Sequence, residues 1–182
     1  MDLQSTGQKK ERMALYDGNP GAEGERTSGA EIVGKTPYAN AYGPIFTGKR
    51  SHRALVFDGS HMHYYINGNW QGKRHAEAPK GMMWKMQELY LGCRGDDEKF
   101  FRGQIDQVRI SRVVRYTDNF APVTSVASDE LTRALYNFDE GQGDVLKDAS
   151  GHGHHGRIYG ATWGKESGVP QSSGDASSPS EL

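Results

Sequence analysis

His52-Arg-Ala-Leu-Val-Phe-Asp-Gly-Ser-His-Met-His-Tyr-Tyr-Ile-Asn-Gly-Asn-Trp70 decides the fold. It holds two β-rich runs, His52–Phe57 and His61–Ile66, split by Asp58-Gly59 and followed by Asn67-Gly68. Both dipeptides supply the positive φ that tight hairpin turns need, so the stretch reads as an antiparallel meander leading to Trp70. Within His61–Ile66 a period of two puts Met62, Tyr64 and Ile66 on one face, expected to be core. His61, His63 and Tyr65 fall on the other, expected to be partly exposed.

Outward from this meander, strands are expected at Leu89–Gly92, Gly103–Ser111, Arg133–Phe138 and Gly156–Trp163, with a linker near Ala121–Asp129. Weaker candidates are Met13–Tyr16, Glu31–Val33 and Pro44–Thr47, and the Gly/Glu/Pro-rich Asp17–Gly29 reads as a long exposed loop. Lys80–Glu88 fits a short helix through Met82, Met83, Met86 and Leu89, or equally a Met-rich strand pair. Many short strands at turn spacings, with 24 glycines, point to a sandwich or barrel.

The 182 residues suffice for one domain. Residues 13–163 are assigned to it; residues 1–12 and 164–182 have no apolar face to offset the entropy of ordering and read as a disordered N-terminus and tail. Lys+Arg 22 against Asp+Glu 23 gives a net charge of -1, which disfavours nucleic acid and anionic membranes as partners. No apolar run is long enough for membrane insertion, and no signal peptide is read at the N-terminus. The lone Cys93 excludes an intramolecular disulfide and reads as a small apolar filler in a strand. Oligomeric state is left open.

Three segments carry a resemblance: His52–Gly59 with Tyr64–Gly68, then Phe101-Arg-Gly-Gln-Ile-Asp-Gln-Val-Arg-Ile-Ser111, then Ala134-Leu-Tyr-Asn-Phe-Asp-Glu-Gly-Gln-Gly143 with Asp148-Ala-Ser-Gly-His-Gly-His-His-Gly156. Together they resemble the concanavalin A-like lectin/glucanase superfamily, in its laminin-G-like branch found in multidomain bacterial proteins. The resemblance implies an all-β jelly-roll sandwich of two antiparallel sheets. In that family the Phe-Asp-Glu-Gly and Asp-x-Ser-Gly segments usually open the domain. Here they come last, so either the domain is circularly permuted or residues 134–163 begin a second copy. Residues 1–51 show no convincing counterpart of the family's early strands, which leaves the N-terminal sheet incomplete.

The superfamily includes glycoside hydrolases, whose retaining β-glucanase branch sets its carboxylates on one strand as Glu-x-Asp-x-(x)-Glu. No such array occurs in these residues, nor a Gly-x-Ser-x-Gly elbow or a phosphate loop. Asp96-Asp97-Glu98 and Asp139-Glu140 read as solvated turns, and His152, His154 and His155 as fillers of a glycine turn. In Gly103–Ser111, Ile105 and Val108 differ in parity, which a bulge near Asp106-Gln107 would reconcile. Asp106 is then either a turn aspartate bonding to backbone or a calcium ligand. The resemblance implies a structural calcium held by Asp106 and Asp148, with the carbonyls of Gly151 and Gly153. Tyr65, Trp70 and Trp84 are candidates for a platform on which sugar rings stack.

The expected function is a non-catalytic binding or adhesion module that recognises a glycan or a protein surface. It is expected in an extracellular or cell-envelope setting, within a larger protein. The rivals are a structural accessory domain packed against a catalytic neighbour and a degenerate glycoside hydrolase.

Overall fold

The computed structural model describes residues 12–20, 26–33, 39–44, 48–75, 89–93 and 100–164. Ten strands lie within them: β1 (Arg12–Pro20), β2 (Arg26–Val33), β3 (Ala39–Pro44), β4 (Arg53–Phe57), β5 (His61–Ile66), β6 (Asn69–His75), β7 (Val108–Ser111), β8 (Thr132–Tyr136), β9 (Val145–Leu146) and β10 (Gly156–Arg157). They form sheets of order β1-β2-β3 and β4-β5-β6 and the pairs β7-β8 and β9-β10. Every pairing is antiparallel. No helix occurs among the described residues, and none is long and apolar enough to cross a membrane. The chain is therefore all-β.

The hairpins of the central meander form where the turn chemistry places them. Asn67 and Gly68 both have positive φ, 49° and 76°, the backbone of a two-residue turn whose twist matches its strands. At the preceding turn the Asp58 carboxylate accepts the Ser60 and His61 backbone N–H groups at 2.8 and 2.7 Å. It also accepts the His63 imidazole N–H at 3.0 Å. Burial sets the Asp58 carboxyl's pKa upward, but the His61 and Ser60 hydrogen bonds outweigh it and hold the group well below the usual carboxylate range.

Strand β5 follows the expected alternation, with His61 and His63 partly exposed on its second face, except at Tyr65. Met62, Tyr64 and Ile66 are inside as expected, and β3 lies on that side: a Cβ on Gly43 would meet Ile66 Cδ1 and the Gln71 side chain. Tyr65, expected to be partly exposed, is 0% exposed. Residues 112–131, between β7 and β8, fold back over that second face. Tyr116 and Phe120 stack in parallel at 3.6 Å and pack on Ala54, Val56 and Tyr65. The period of two thus holds for direction, and exposure departs from it only at Tyr65, because the cover arrives from Tyr116, 51 residues downstream.

Residues 112–131 are held at several points. Arg115 grips Asp129 with two parallel hydrogen bonds of 2.6 Å, and Gln107 donates to Val126 O and accepts from Val126 N–H. Such bidentate pairs fix geometry better than single contacts. The expected linker at 121–129 is therefore a pinned loop. Residues 103–107 are not strand, which begins at Val108, so the expected bulge at Asp106-Gln107 does not form. The register irregularity lies instead between Ile110 and Ser111.

A second cluster gathers Ala134, Tyr136 and Leu146, with Leu91, Val108, Ile110, Phe138, Ile158 and Trp163 against them. Through β7 and Leu91 it packs the Ala134–Gly143 segment, with Leu146, Ile158 and Trp163, against residues before 119.

Other expectations are revised. Asp17–Pro20 and Arg26–Gly29 are strand rather than loop, with a register shift between Asp17 and Asn19 that absorbs Gly18. Leu89–Cys93 is a bent segment tied to Phe101, whose N–H donates to Gly92 O at 2.7 Å, and Cys93 is half-buried there. Only Gly156–Arg157 of the expected Gly156–Trp163 strand pairs, with Val145–Leu146, a strand too short to signal itself. Lys80–Glu88 and most of residues 1–12 and 164–182 lie outside the described residues.

Candidate functional site

Two places bear on the expected sites, and their chemistry differs. The first is the glycine turn that follows β9. Asp148 is the rare case of a carboxylate with its side chain wholly buried. Its Oδ1 accepts the Leu135 and Ser150 N–H groups at 3.0 and 2.8 Å; its Oδ2 accepts the Ser150 hydroxyl at 2.8 Å and the His154 N–H at 3.0 Å. The His154 ring adds a longer contact of 3.3 Å. Burial alone would raise the Asp148 pKa. The donors from Leu135, Ser150 and His154 overcome that and hold the carboxyl ionised well below its ordinary range. The His155 ring accepts the Asp148 N–H at 3.0 Å, and Tyr136 OH donates to His154 O at 2.7 Å.

These residues do not fit calcium. Hydrogen-bond donors already occupy both Asp148 oxygens, and an N–H aimed at a lone pair would face a cation with its own positive end. Asp106 is exposed and forms an ion pair with Arg50, which also donates to Thr124 O. Gly151 and Gly153 are exposed with φ of 87° and 74°, which serves the turn. No group of three His, Cys, Asp or Glu side chains among the described residues is arranged to hold a metal ion. The melting curve is accordingly expected to be the same in chelator and in millimolar calcium. A rise of several degrees with calcium would reinstate the ion.

The second place is the corner where the β5–β6 turn meets the 112–131 loop. The β5–β6 register pairs Tyr64 with Gly72 and Tyr65 with Trp70, leaving Gln71 as the extra residue of a bulge. Bulges re-aim side chains, and this one leaves Trp70 on the Tyr65 side but 49% exposed. The Trp70 N–H donates to Asn119 Oδ1 at 2.8 Å, and Phe120 N–H donates to Gly68 O at 3.0 Å. Gly68 leaves no room between: a Cβ there would collide with the Phe120 carbonyl, whose carbon would be 2.8 Å away.

Asn69, exposed, and Gln71, half-buried, flank Trp70 in the chain, and exposed Asp118 precedes the Asn119 that holds its backbone. The Asn119 amide has one oxygen engaged by Trp70 N–H, and Gln71 donates to Asn69 O at 2.9 Å. The corner thus presents an apolar ring face beside short polar groups that can give and accept hydrogen bonds.

Of the three aromatic candidates, Trp70 alone is shown with a face to offer. Tyr65 is sealed under Tyr116 and Phe120, and Trp84 lies outside the described residues. Asn119 was missed by sequence reasoning, since it is remote from Trp70 in the chain and nothing local marks it.

A laminin-G family model, described as concanavalin A-like lectin/glucanases superfamily, matches residues 5–119. The match begins well before His52, so the N-terminal strands, which showed no convincing counterpart in the sequence, fall within it. It ends inside the 112–131 loop. No curated protein and no solved structure matches the chain.

Proposed function

We propose, from the premise that this chain belongs to the laminin-G-like branch of the concanavalin A-like lectin/glucanase superfamily, that it is a non-catalytic module binding a glycan at the Trp70 corner. The observation that carries this reading is the half-exposed Trp70, whose backbone N–H is held by Asn119 Oδ1 on the loop that also carries Tyr116 and Phe120. A pyranose ring pairs an apolar C–H face with equatorial hydroxyls. The indole can stack on the first while Gln71, Asp118 and Asn119 bond the second. Clamping the backbone of Trp70 removes part of the ordering cost of binding. The near-neutral charge favours a neutral sugar. The reading of a non-enzyme rests on the missing carboxylate array, and the setting that suits it is extracellular or at the cell envelope.

Binding of the purified domain to an immobilised glycan panel tests this. The wild type is expected to bind a restricted set. Trp70→Ala is expected to lose about 2 kcal/mol, roughly thirtyfold in Kd, with an unchanged far-UV spectrum because the side chain is only half-buried. A wild type that binds no glycan, or a Trp70→Ala protein that binds as well, would contradict it. A protein ligand is the second reading, favoured by the exposed Leu89, Tyr90, Phe100 and Phe101, which the Gly92–Phe101 hydrogen bond draws together.

A further inference from the structure

His52 immediately precedes β4, and its backbone is fixed on both sides. Its N–H donates to Asn67 Oδ1 at 2.8 Å, and its carbonyl accepts the Asn67 N–H at 2.8 Å. Its ring stands edge-on to two members of the covering loop, with centroids 5.5 Å from Phe120 and 6.1 Å from Tyr116. Within that aromatic box its Nδ1 is buried and has no hydrogen-bond partner. A neutral imidazole can leave a lone pair there at modest cost, by carrying its proton on Nε2. A protonated ring cannot, because Nδ1 then becomes a charged donor with no acceptor.

We propose that His52 is an acid-sensitive latch, whose protonation releases the 112–131 loop and with it the Trp70 corner. The proposal rests on Trp70 being the ligand site, since it assigns a regulation to that site.

The groups around the ring all bear on the sign. Arg109 reaches in from β7 and donates to the Tyr116 hydroxyl at 3.3 Å, adding a positive charge on the far side of Tyr116. Burial first, and then the nearby Asp118 charge, raises the pKa of the Tyr65 hydroxyl on β5 and keeps it protonated. The π-faces of Phe120 and Tyr116 would attract an imidazolium, which works against the latch. In the other direction, burial first and then the Arg109 charge lowers the His52 pKa from its ordinary 6.5.

The linkage follows. The closed loop keeps the ring neutral, and the open loop lets it charge at its ordinary value, so opening takes up a proton. The closed state is fully favoured above pH 6.5. It loses ground as pH falls below 6.5 toward the lowered native value, by up to about tenfold in the opening equilibrium per pH unit. The same loop carries Phe120, bonded to Gly68, and Asn119, bonded to Trp70. Opening it therefore releases the Trp70 backbone that positions the ring on which the ligand would stack.

Amide hydrogen exchange of the full chain between pH 7.5 and 5.0, corrected for intrinsic rates, tests the latch. The Trp70 and Phe120 amides, both bonded across the loop, are expected to lose protection by up to about tenfold per unit below pH 6.5. The Leu135 amide, bonded to Asp148, should keep its protection. His52→Phe, which fills the same box without titrating, should abolish the pH dependence. Should that variant not fold, NMR titration of the wild-type His52 ring gives the answer directly, and an apparent pKa at or above 6.5 overturns the latch. Protection independent of pH in the wild type, or the same loss in folded His52→Phe, overturns it too. Affinity for a glycan selected at pH 7.5 is read alongside and is expected to fall only in step with the open fraction that the exchange rates report. Exchange that follows the latch while no glycan binds at any pH would uphold the latch and remove the glycan assignment.

Discussion

Asp148→Asn is expected to lower the melting temperature by roughly 9 °C, corresponding to about 3 kcal/mol for a domain of this size. Every oxygen direction of the native carboxylate receives a donor. An asparagine must turn its NH2 either toward the Leu135 and Ser150 N–H groups or toward the His154 N–H. Either way donor faces donor in a site sealed from water, where an unpaired group costs most. The loss links the turn to β8, since Leu135 N–H and the neighbouring Ala149–Leu135 bond tie the two. The Asp148 contribution also carries a pH signature. Its native carboxyl is held below the ordinary value of 3.8, so the stability it supplies is present above that pH and fades as pH falls below it. Asp106→Asn is the contrast: an exposed ion pair contributes between 0 and about 1 kcal/mol, and its loss should barely register. Thermal scans in the presence of chelator check both, and a drop under about 2 °C for Asp148→Asn would show that the donor set does not hold the turn.

The second large effect belongs to Gly68→Ala. An L-residue at φ 76° costs about 1 kcal/mol by itself, and the added methyl must also displace the Phe120 carbonyl. Backbone cannot yield as a flexible side chain does, so the 112–131 loop has to lift from the β5–β6 turn. The Phe120–Gly68 and Trp70–Asn119 hydrogen bonds go with it, for a total near 3 kcal/mol. Glycan affinity is expected to fall as far as in Trp70→Ala although the indole is still present. Gly59→Ala is the matched control: its φ is also positive, 101°, but a Cβ there meets nothing within 4 Å. It should therefore cost only the backbone term and leave binding intact. Equal losses for the two variants would mean that the close approach of Phe120 is not what positions Trp70.

The meander was legible because its physics is local. Alternation within His61–Ile66 and the dipeptides Asp58-Gly59 and Asn67-Gly68 specify strand, turn and register without help from distant residues. What the sequence hid depends on chain brought in from far away. Tyr65 carries no mark of the Tyr116–Phe120 stack that buries it, so its sequence places it on the solvent side and among the ligand candidates, while the fold leaves it 0% exposed. The Asp-x-Ser-Gly pattern at Asp148 was visible, but the Leu135 and His154 donors that saturate its oxygens were not, and a calcium role was inferred in their place. β1 and β2 extend further than expected because Gly18, Pro20 and Gly29 mimic loop composition while the pairing of Tyr16 with Gly29 keeps them in a sheet. Trp70 was legible as an aromatic after a turn; the Asn119 bond that holds its backbone was not.

Chemical-shift mapping with a panel-selected glycan tests the central claim most directly, because it reports where the ligand sits as well as whether it binds. The account predicts that perturbations centre on the Trp70 indole and on the amides of Asn69, Gln71 and Asn119, while Leu135, Ser150 and His154 stay fixed. Perturbations centred on residues 148–156, with the Trp70 indole unmoved, would contradict it.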